Sequence, residues 1–268
     1  MNKILVTGAR GNVGKVLVAR LIEKGYEVRS LVRGVSGDLM NYESLLKACE
    51  DVDIVVHLAG LIEGGKRELM KVNVEGTKNL VRACEEKDVG KIIFISSLDI
   101  KFKSNYGVSK LMAEAVVRNS GMNYSILRPS VIYGENFKKG LGSLLNILRK
   151  SLIFPIFGNG NNLYQPLYVG DLVFLIENII SEDSFENKGY FIGGGSEISL
   201  VKLIDLICLK IDKKVVKFKV PFSGVLSRFS NGPLESFFIN KVCSNEGIEK
   251  DFNFYPLSIE EGIDLIIR

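Results

Sequence analysis

Tryptophan is absent from these 268 residues, and histidine occurs once, at His57. A lone imidazole cannot build a metal cage. The four cysteines (Cys49, Cys84, Cys208 and Cys243) stand far apart with no C-x-x-C spacing, which argues against a zinc site and against a disulfide framework. No metal ligand is assigned. No apolar run approaches the roughly eighteen residues that suggest a membrane-spanning helix; "DLVFLIENII" (171–180) is broken by Glu177 and Asn178. The first residues, "KILVTG", have neither the charged start nor the apolar stretch of a secretory leader. The expectation is a soluble chain in the reducing cytoplasm. A strong charge bias is also missing, with Lys plus Arg at 35 against 31 Asp plus Glu, a net +4. Basic residues gather only in "KIDKKVVKFK" (210–219), where they alternate with apolar ones as in a half-buried strand. Neither nucleic acid nor a membrane surface is expected as a partner.

What the chain does have is apolar material in a regular order. Hydrophobic residues make up 46%, and a chain of this length can bury roughly three quarters of its unfolded surface. Runs of strand length rich in Ile, Val and Leu recur: "KILVT" (3–7), "EVRSLV" (27–32), "DIVVHLA" (53–59), "KIIFISS" (91–97) and "YSILRP" (124–129). Their near-continuous apolar character is that of parallel strands covered on both faces. Between them, 13–25, 41–50, 71–87 and 105–119 carry the helical period. Strand and helix in alternation predict an α/β fold with a doubly wound parallel sheet, of Rossmann type.

After Pro129 the character changes, with Gly, Asn, Phe and Pro frequent in "FPIFGNGNNLYQP" (154–166) and helical stretches at 199–210 and 258–267. The last of these opens with Ser258 and Glu261, the spacing of a capping box. The reading is a dinucleotide-binding domain over 1–132 and 167–195, with a small C-terminal substrate-binding α/β domain over 133–166 and 196–268.

"TGARGNVG" (7–14) follows the first strand and opens the first helix. Gly8, Gly11 and Gly14 allow a tight turn, close approach of backbone to a pyrophosphate and close helix packing, while Arg10, Asn12 and Val13 complete the phosphate-facing turn. An acid at the end of the second strand would hold the ribose 2′-hydroxyl of NAD, whereas an arginine suits the 2′-phosphate of NADP. That strand ends at Arg33 with no acid, so NADP is favoured and NAD stays open. Asp38, beside Leu39, is read as an adenine-side contact or a helix N-cap.

"KIIFISS" places Ser96 and Ser97 at the carboxyl end of a central strand, where open α/β sheets hold ligands. Tyr106 and Lys110, four apart in "YGVSK", share one helical face. Together with Ser97 they form a constellation in which a hydroxyl holds a carbonyl or alcohol, a phenol exchanges its proton, and an ammonium tunes the phenol. A phenol of pKa near 10 needs about 4 kcal/mol of differential stabilisation to titrate near 7, and Lys110 with a nicotinamide cation is the expected source.

The pieces "TGARGNVG", "GDL", "VVHLAG", "VNVEGTKNL", "FISS", "YGVSK", "LRPSVIYG", "YVGDLV" and "FIGGG" stand in one order. In that order the chain resembles the extended short-chain dehydrogenase/reductases, the NAD(P)-dependent epimerases, dehydratases and reductases, from Lys3 to about Gly195. The resemblance implies that Ser97 aligns the reacting oxygen, that Tyr106 exchanges its proton, and that Lys110 bonds the nicotinamide ribose and lowers the tyrosine pKa. It implies that Asn73 supports the site, that Leu58, Ala59 and Gly60 line the cofactor, and that Pro129 and Val131 border the nicotinamide. His57 is then structural.

Only nine positions separate Ser97 from Tyr106, whereas sugar-modifying members carry a longer loop there. Leu98-Asp99 stands where 4,6-dehydratases have Asp-Glu, which argues against that reaction. The implied function is hydride transfer at a secondary alcohol or ketone, on a nucleotide-diphosphate sugar held by Arg149, Lys150, Asn159, Asn161, Asn162 and Gln165. The alternative is a non-catalytic NADP(H)-binding sensor or assembly subunit, like atypical members of the superfamily. A homodimer fits the resemblance.

Overall fold

The computed structural model describes residues 2–135, 137–182, 186–220 and 239–267. Along the chain run β1 (Lys3–Thr7), α1 (Asn12–Glu23), β2 (Glu27–Leu31), α2 (Tyr42–Cys49), β3 (Ile54–His57), α3 (Lys66–Leu69), α4 (Gly76–Glu86), β4 (Lys91–Ile95), α5 (Asn105–Arg118) and β5 (Asn123–Pro129). A π-helical turn, Met70–Glu75, joins α3 to α4, and a 3-10 turn, Leu98–Lys101, precedes α5. There follow β6 (Ile132–Tyr133), α6 (Leu141–Lys150), β7 (Ile153–Phe157), β8 (Leu163–Tyr164), β9 (Leu167–Tyr168), α7 (Val169–Ser181), β10 (Lys188–Ile192), β11 (Ile198–Ser199), α8 (Leu200–Lys210), β12 (Val216–Val220), α9 (Glu246–Phe252) and α10 (Ile259–Ile267).

Two compact units emerge. The first comprises Met1–Pro129, Leu172–Phe191 and Gly247–Asn253, and the second Ser130–Asp171, Ile192–Glu246 and Phe254–Arg268. The predicted doubly wound sheet is present, six strands in the order β10-β5-β4-β3-β1-β2. β1 to β5 pair in parallel. All of β3 and β4 is buried, as the unbroken runs of Ile and Val require of strands with helices over both faces. Strand order reverses at β1, which lies between β2 and β3; such a reversal opens a crevice at the carboxyl ends, where the loops after β1 and β3 emerge.

α2, α4 and α5 cover one side of this sheet through Leu45, Leu80, Val81, Ala113 and Val117. Cys49 of α2 and Cys84 of α4 meet there, buried, with their sulfurs 3.8 Å apart. Within the same unit α9 is tied down by Asp251, which accepts hydrogen bonds from Lys188 at 2.8 Å and the Tyr190 hydroxyl at 2.6 Å.

In the second unit α6, α8 and α10 pack around Tyr133 and Ile156. Ser258 and Glu261 form the predicted capping box: the Ser258 N–H donates to the carboxylate at 2.9 Å, and the Glu261 N–H donates to the hydroxyl at 3.3 Å. The strand expected over 210–219 forms later, as β12, and its apolar face is not half-buried. Val216 is 67% exposed and Phe218 44%, because among the described residues β12 pairs with β7 alone, in a ribbon of two strands. No helix among the described residues is long and apolar enough to cross a membrane.

Candidate active site

The turn after β1 is built around Gly8. Its φ of +69° lies in the left-handed region, and a Cβ there would stand 2.8 Å from the Ala59 nitrogen, so only glycine fits. Gly11 then N-caps α1 with no side chain on the free amides, and no acid occupies the first turn. Gly11 and Asn12 are exposed, Val13 is half-buried and Gly14 is buried against the turn. Open amides at the positive end of a twelve-residue helix fit the pyrophosphate of a dinucleotide. Arg10 and Arg33 are both exposed, Arg33 two residues beyond β2.

Asp38 does not cap α2. Asn41 does, accepting the Ser44 N–H at 3.1 Å, while Asp38 caps the turn just before it by accepting the Met40 N–H at 2.9 Å. Leu39 is buried, and its carbonyl accepts a hydrogen bond from Asn79 at 2.9 Å. Leu58 and Ala59 are half-buried after β3 and Gly60 is exposed. Pro129 ends β5. Val131 lies in the second unit, where its carbonyl accepts the Leu167 N–H at 2.9 Å.

Ser97 leaves β4 in extended conformation and N-caps the 3-10 turn, accepting the Asp99 N–H at 3.1 Å. α5 begins at Ser104, whose hydroxyl accepts the Gly107 N–H at 3.0 Å. Gly107 is what lets α5 approach that turn, since a Cβ there would stand 2.0 Å from the Asp99 carbonyl oxygen. The glycine of "YGVSK" therefore carries a signal that spacing arguments overlooked. It seats the first turn of α5, with Tyr106, against the turn that Ser97 caps.

Burial pushes the Tyr106 phenol up to about 12; the Ser97 hydroxyl acts to lower it and the Asp99 carboxylate to raise it. Lys110 is buried, with its amino group donating to the Ile95 carbonyl at 2.6 Å and lying 4.2 Å from the centre of the Phe94 ring. Burial draws its pKa down to about 7, against the support of Glu114 one turn further along α5. Lys110 is not among the influences that shift the phenol, which are burial, Ser97 and Asp99. The amino group is committed to the β4 carbonyl, and desolvation governs the phenol.

The two serines after β4 differ in burial, Ser96 being buried and Ser97 half-buried. Ser96 lies beside Glu114. Glu114 is held by Arg128 through two hydrogen bonds of 2.8 Å. Burial works to raise the Glu114 pKa, but Arg128 and, more weakly, Arg118 outweigh it and hold the carboxyl below its ordinary value.

Asn73 sits in the π-helical turn, its oxygen accepting the Leu61 N–H at 2.7 Å and its amide donating to the Leu61 carbonyl at 2.9 Å. It shapes the loop after β3. His57, expected to be structural, lies 1% exposed between the hydroxyls of Thr7 at 2.7 Å and Thr77 at 3.0 Å. Burial first, and Lys110 second, drop its pKa to about 3, so the ring is neutral.

Among the nucleotide contacts expected from sequence, Asn159 and Asn161 form a turn, the first accepting the N–H of the second at 3.0 Å. Arg149 and Lys150 are exposed at the end of α6, and Asn162 is half-buried. Gln165 is not available to a ligand. It is buried, donating to the Gly194 carbonyl at 2.9 Å and accepting the Cys243 N–H at 2.9 Å.

Compared with known proteins, residues 4–193 match the NAD dependent epimerase/dehydratase family. The UDP-glucose 4-epimerase of Vibrio cholerae is 26% identical over 257 residues, 81% of this chain and 78% of that protein. The 2-alkyl-3-oxoalkanoate reductase of Stenotrophomonas maltophilia is 24% identical, covering 97% of each chain. Among solved structures, dTDP-4-dehydrorhamnose reductase from Bacillus anthracis in complex with NADP superposes with a TM-score of 0.84 at 19% identity, over 100% of this chain and 99% of that one.

Proposed function

The chain belongs to the NAD dependent epimerase/dehydratase family, and on that premise we propose that it is an enzyme of hydride transfer at a secondary alcohol or ketone, with a nucleotide-linked sugar as substrate. The observation that carries this reading is the convergence of Ser97, which caps the 3-10 turn at the end of β4, with Tyr106 and Lys110 on α5, the helix packed against that turn through Gly107. Ser97 holds the reacting oxygen and Tyr106 exchanges a proton with it. A phenol that keeps its proton up to about 12 is poised to donate to an alkoxide as it forms. In the other direction it acts as base only with positive charge close by. Lys110, drawn down to about 7, is the residue whose charge the surroundings decide.

A nicotinamide dinucleotide supplies the hydride, or accepts it. Gly8 to Gly14 and the first-turn amides of α1 would hold its pyrophosphate, with Leu58, Ala59 and Gly60 beside them. Arg33 favours NADP, since no acid stands at the end of β2. Arg33→Asp should weaken NADP⁺ on the order of tenfold or more, the scale of a lost charge-assisted hydrogen bond, and leave NAD⁺ nearly unchanged in fluorescence titrations. Equal loss of both would remove Arg33 from the 2′-phosphate.

A ketone on another carbon skeleton is the second reading, favoured by the full-length likeness to an oxoalkanoate reductase and by the nine-position step from Ser97 to Tyr106. A thermal-shift matrix separates the two: NAD⁺, NADH, NADP⁺ and NADPH, each with and without UDP, dTDP, GDP and their sugars. A ligand at a hundred times its dissociation constant adds about 2.7 kcal/mol, or roughly 5 to 10 °C for a chain of this size. The expected result is one shift from a dinucleotide and a second, on top of it, from a nucleoside diphosphate. A dinucleotide shift alone would overturn the sugar-nucleotide reading.

A further inference from the structure

The polar side chains beneath the site form two runs of hydrogen bonds that meet at Asn73, one on its backbone carbonyl and the other on its side-chain amide, and their directions can be fixed link by link. The Thr77 hydroxyl donates its only proton to the Asn73 carbonyl at 2.6 Å, so it can only accept from His57 Nε2. The neutral ring then carries no proton on Nδ1, and the Thr7 hydroxyl donates to it. The Thr7 oxygen in turn accepts the Ala59 N–H at 3.1 Å. In the second run, the Asn73 amide donates to the Ser109 hydroxyl at 2.9 Å, and Ser109 donates to the Tyr106 carbonyl at 2.7 Å. Together the two runs lead from Thr7, next to Gly8, through Asn73 to the residue that bears the phenol.

Their junction leaves a mark on the backbone. Where Thr77 and Asn73 meet, the helix widens to a π turn, with the Gly76 N–H reaching back five residues to the Lys71 carbonyl. Such widened turns gather at functional sites. Thr7, His57, Asn73, Thr77 and Ser109 are all buried to 3% exposure or less, so water cannot take over a broken link.

We propose that Ser109 is a positioning residue for Tyr106, the last link of the hydrogen-bonded runs that lead from the glycine turn through Asn73 and set the phenol. The consequence for turnover rests on the enzymatic reading above. The geometry of the two runs does not.

The test uses protein carrying ¹³C at the ring Cζ of its tyrosines, with the Tyr106 signal assigned by its loss in Tyr106→Phe. Three variants are compared with wild type: Ser109→Ala, Ser109→Thr and Thr77→Val. In wild type the Tyr106 signal is expected to be single and to move on addition of NADP⁺. In Ser109→Ala it should broaden or split and lose that response, and Ser109→Thr, which keeps the hydroxyl, should restore it. Thr77→Val, in the other run of bonds, should reproduce the Ser109→Ala effect, and it decides the matter if Ser109→Ala does not fold. On a turned-over substrate, Ser109→Ala should lower kcat on the order of ten- to a hundredfold with KM unchanged, the cost of a misplaced reacting group. A Tyr106 signal in Ser109→Ala and Thr77→Val that matches wild type would overturn the proposal. So would an equal disturbance of the other eight of the nine tyrosines, without rescue by threonine. Inactivity on every sugar nucleotide would sink the functional reading alone, because the Tyr106 signal needs no turnover.

Discussion

Tyr106→Phe should lower turnover by about 10² to 10⁴-fold, the usual worth of a positioned general acid or base, while the dinucleotide still binds. The substitution keeps the ring that is half-buried in the first turn of α5 and removes one oxygen. Its neighbours keep their own anchors. Ser97 still caps the 3-10 turn through the Asp99 N–H, Ser104 still caps α5, and Lys110 still reaches the Ile95 carbonyl. What is lost is the proton that burial holds on the phenol up to about 12. The effect should therefore fall on kcat, with the dinucleotide dissociation constant changed by no more than the few-fold worth of one neutral hydrogen bond. Steady-state kinetics beside a fluorescence titration of the cofactor check both halves. Unchanged turnover would remove Tyr106 from the chemistry, whereas loss of cofactor binding would recast it as a binding residue.

Arg128→Ala is expected to cost up to about 3 to 5 kcal/mol of stability, because it takes both hydrogen bonds from a buried carboxylate and leaves it only the longer Arg118 contact at 3.7 Å. Glu114 is 2% exposed, and both of its oxygens accept from Arg128. The guanidinium also lies 4.9 Å from the centre of the Phe191 ring. At roughly 2 to 4 °C per kcal/mol, the midpoint of thermal unfolding should fall by about 6 to 20 °C. Replacing both partners, Glu114→Leu with Arg128→Met, should recover most of that loss, since an ion pair of this kind contributes less than its breakage costs.

The pH dependence of the pair has a definite sign. The folded-state pKa of Glu114 lies below its ordinary value. Its contribution is therefore fully present above the pKa of an unfolded glutamate and lost as pH falls through the lower, folded one. The gap between wild type and Arg128→Ala should close on acidification through that range. A gap that held constant down to the acid limb would show that Arg128 acts through packing instead.

The alternation of strand and helix, the glycine turn and the shared helix of Tyr106 and Lys110 could be read directly from sequence. Each rests on local pattern: β-branched runs, glycines at a strand-to-helix junction, residues four apart. The helix read over 71–87 came out as a π turn followed by α4, because the Thr77 hydroxyl takes a carbonyl that regular helix bonding would use. The direction of the Lys110 amino group could not be read either, since the competing acceptor, the Ile95 carbonyl, lies 15 residues away in the chain. Gln165 shows the same limit. In a loop rich in Gly and Asn it resembled a ligand contact, yet its partners Gly194 and Cys243 arrive from distant segments. Exposure of the apolar face of β12 depends on how many strands join it, which a period of two does not encode.

The sulfurs of Cys49 and Cys84, 3.8 Å apart where α2 meets α4, have a consequence for how this family member can drift. Both side chains are fully enclosed, and cores resist added volume as well as lost volume. A methyl gained at one position must be given up at the other, so viable descendants should change the two sites as a matched pair. Across a lineage, the side-chain volumes at 49 and 84 should be inversely correlated, even though neither residue touches the chemistry.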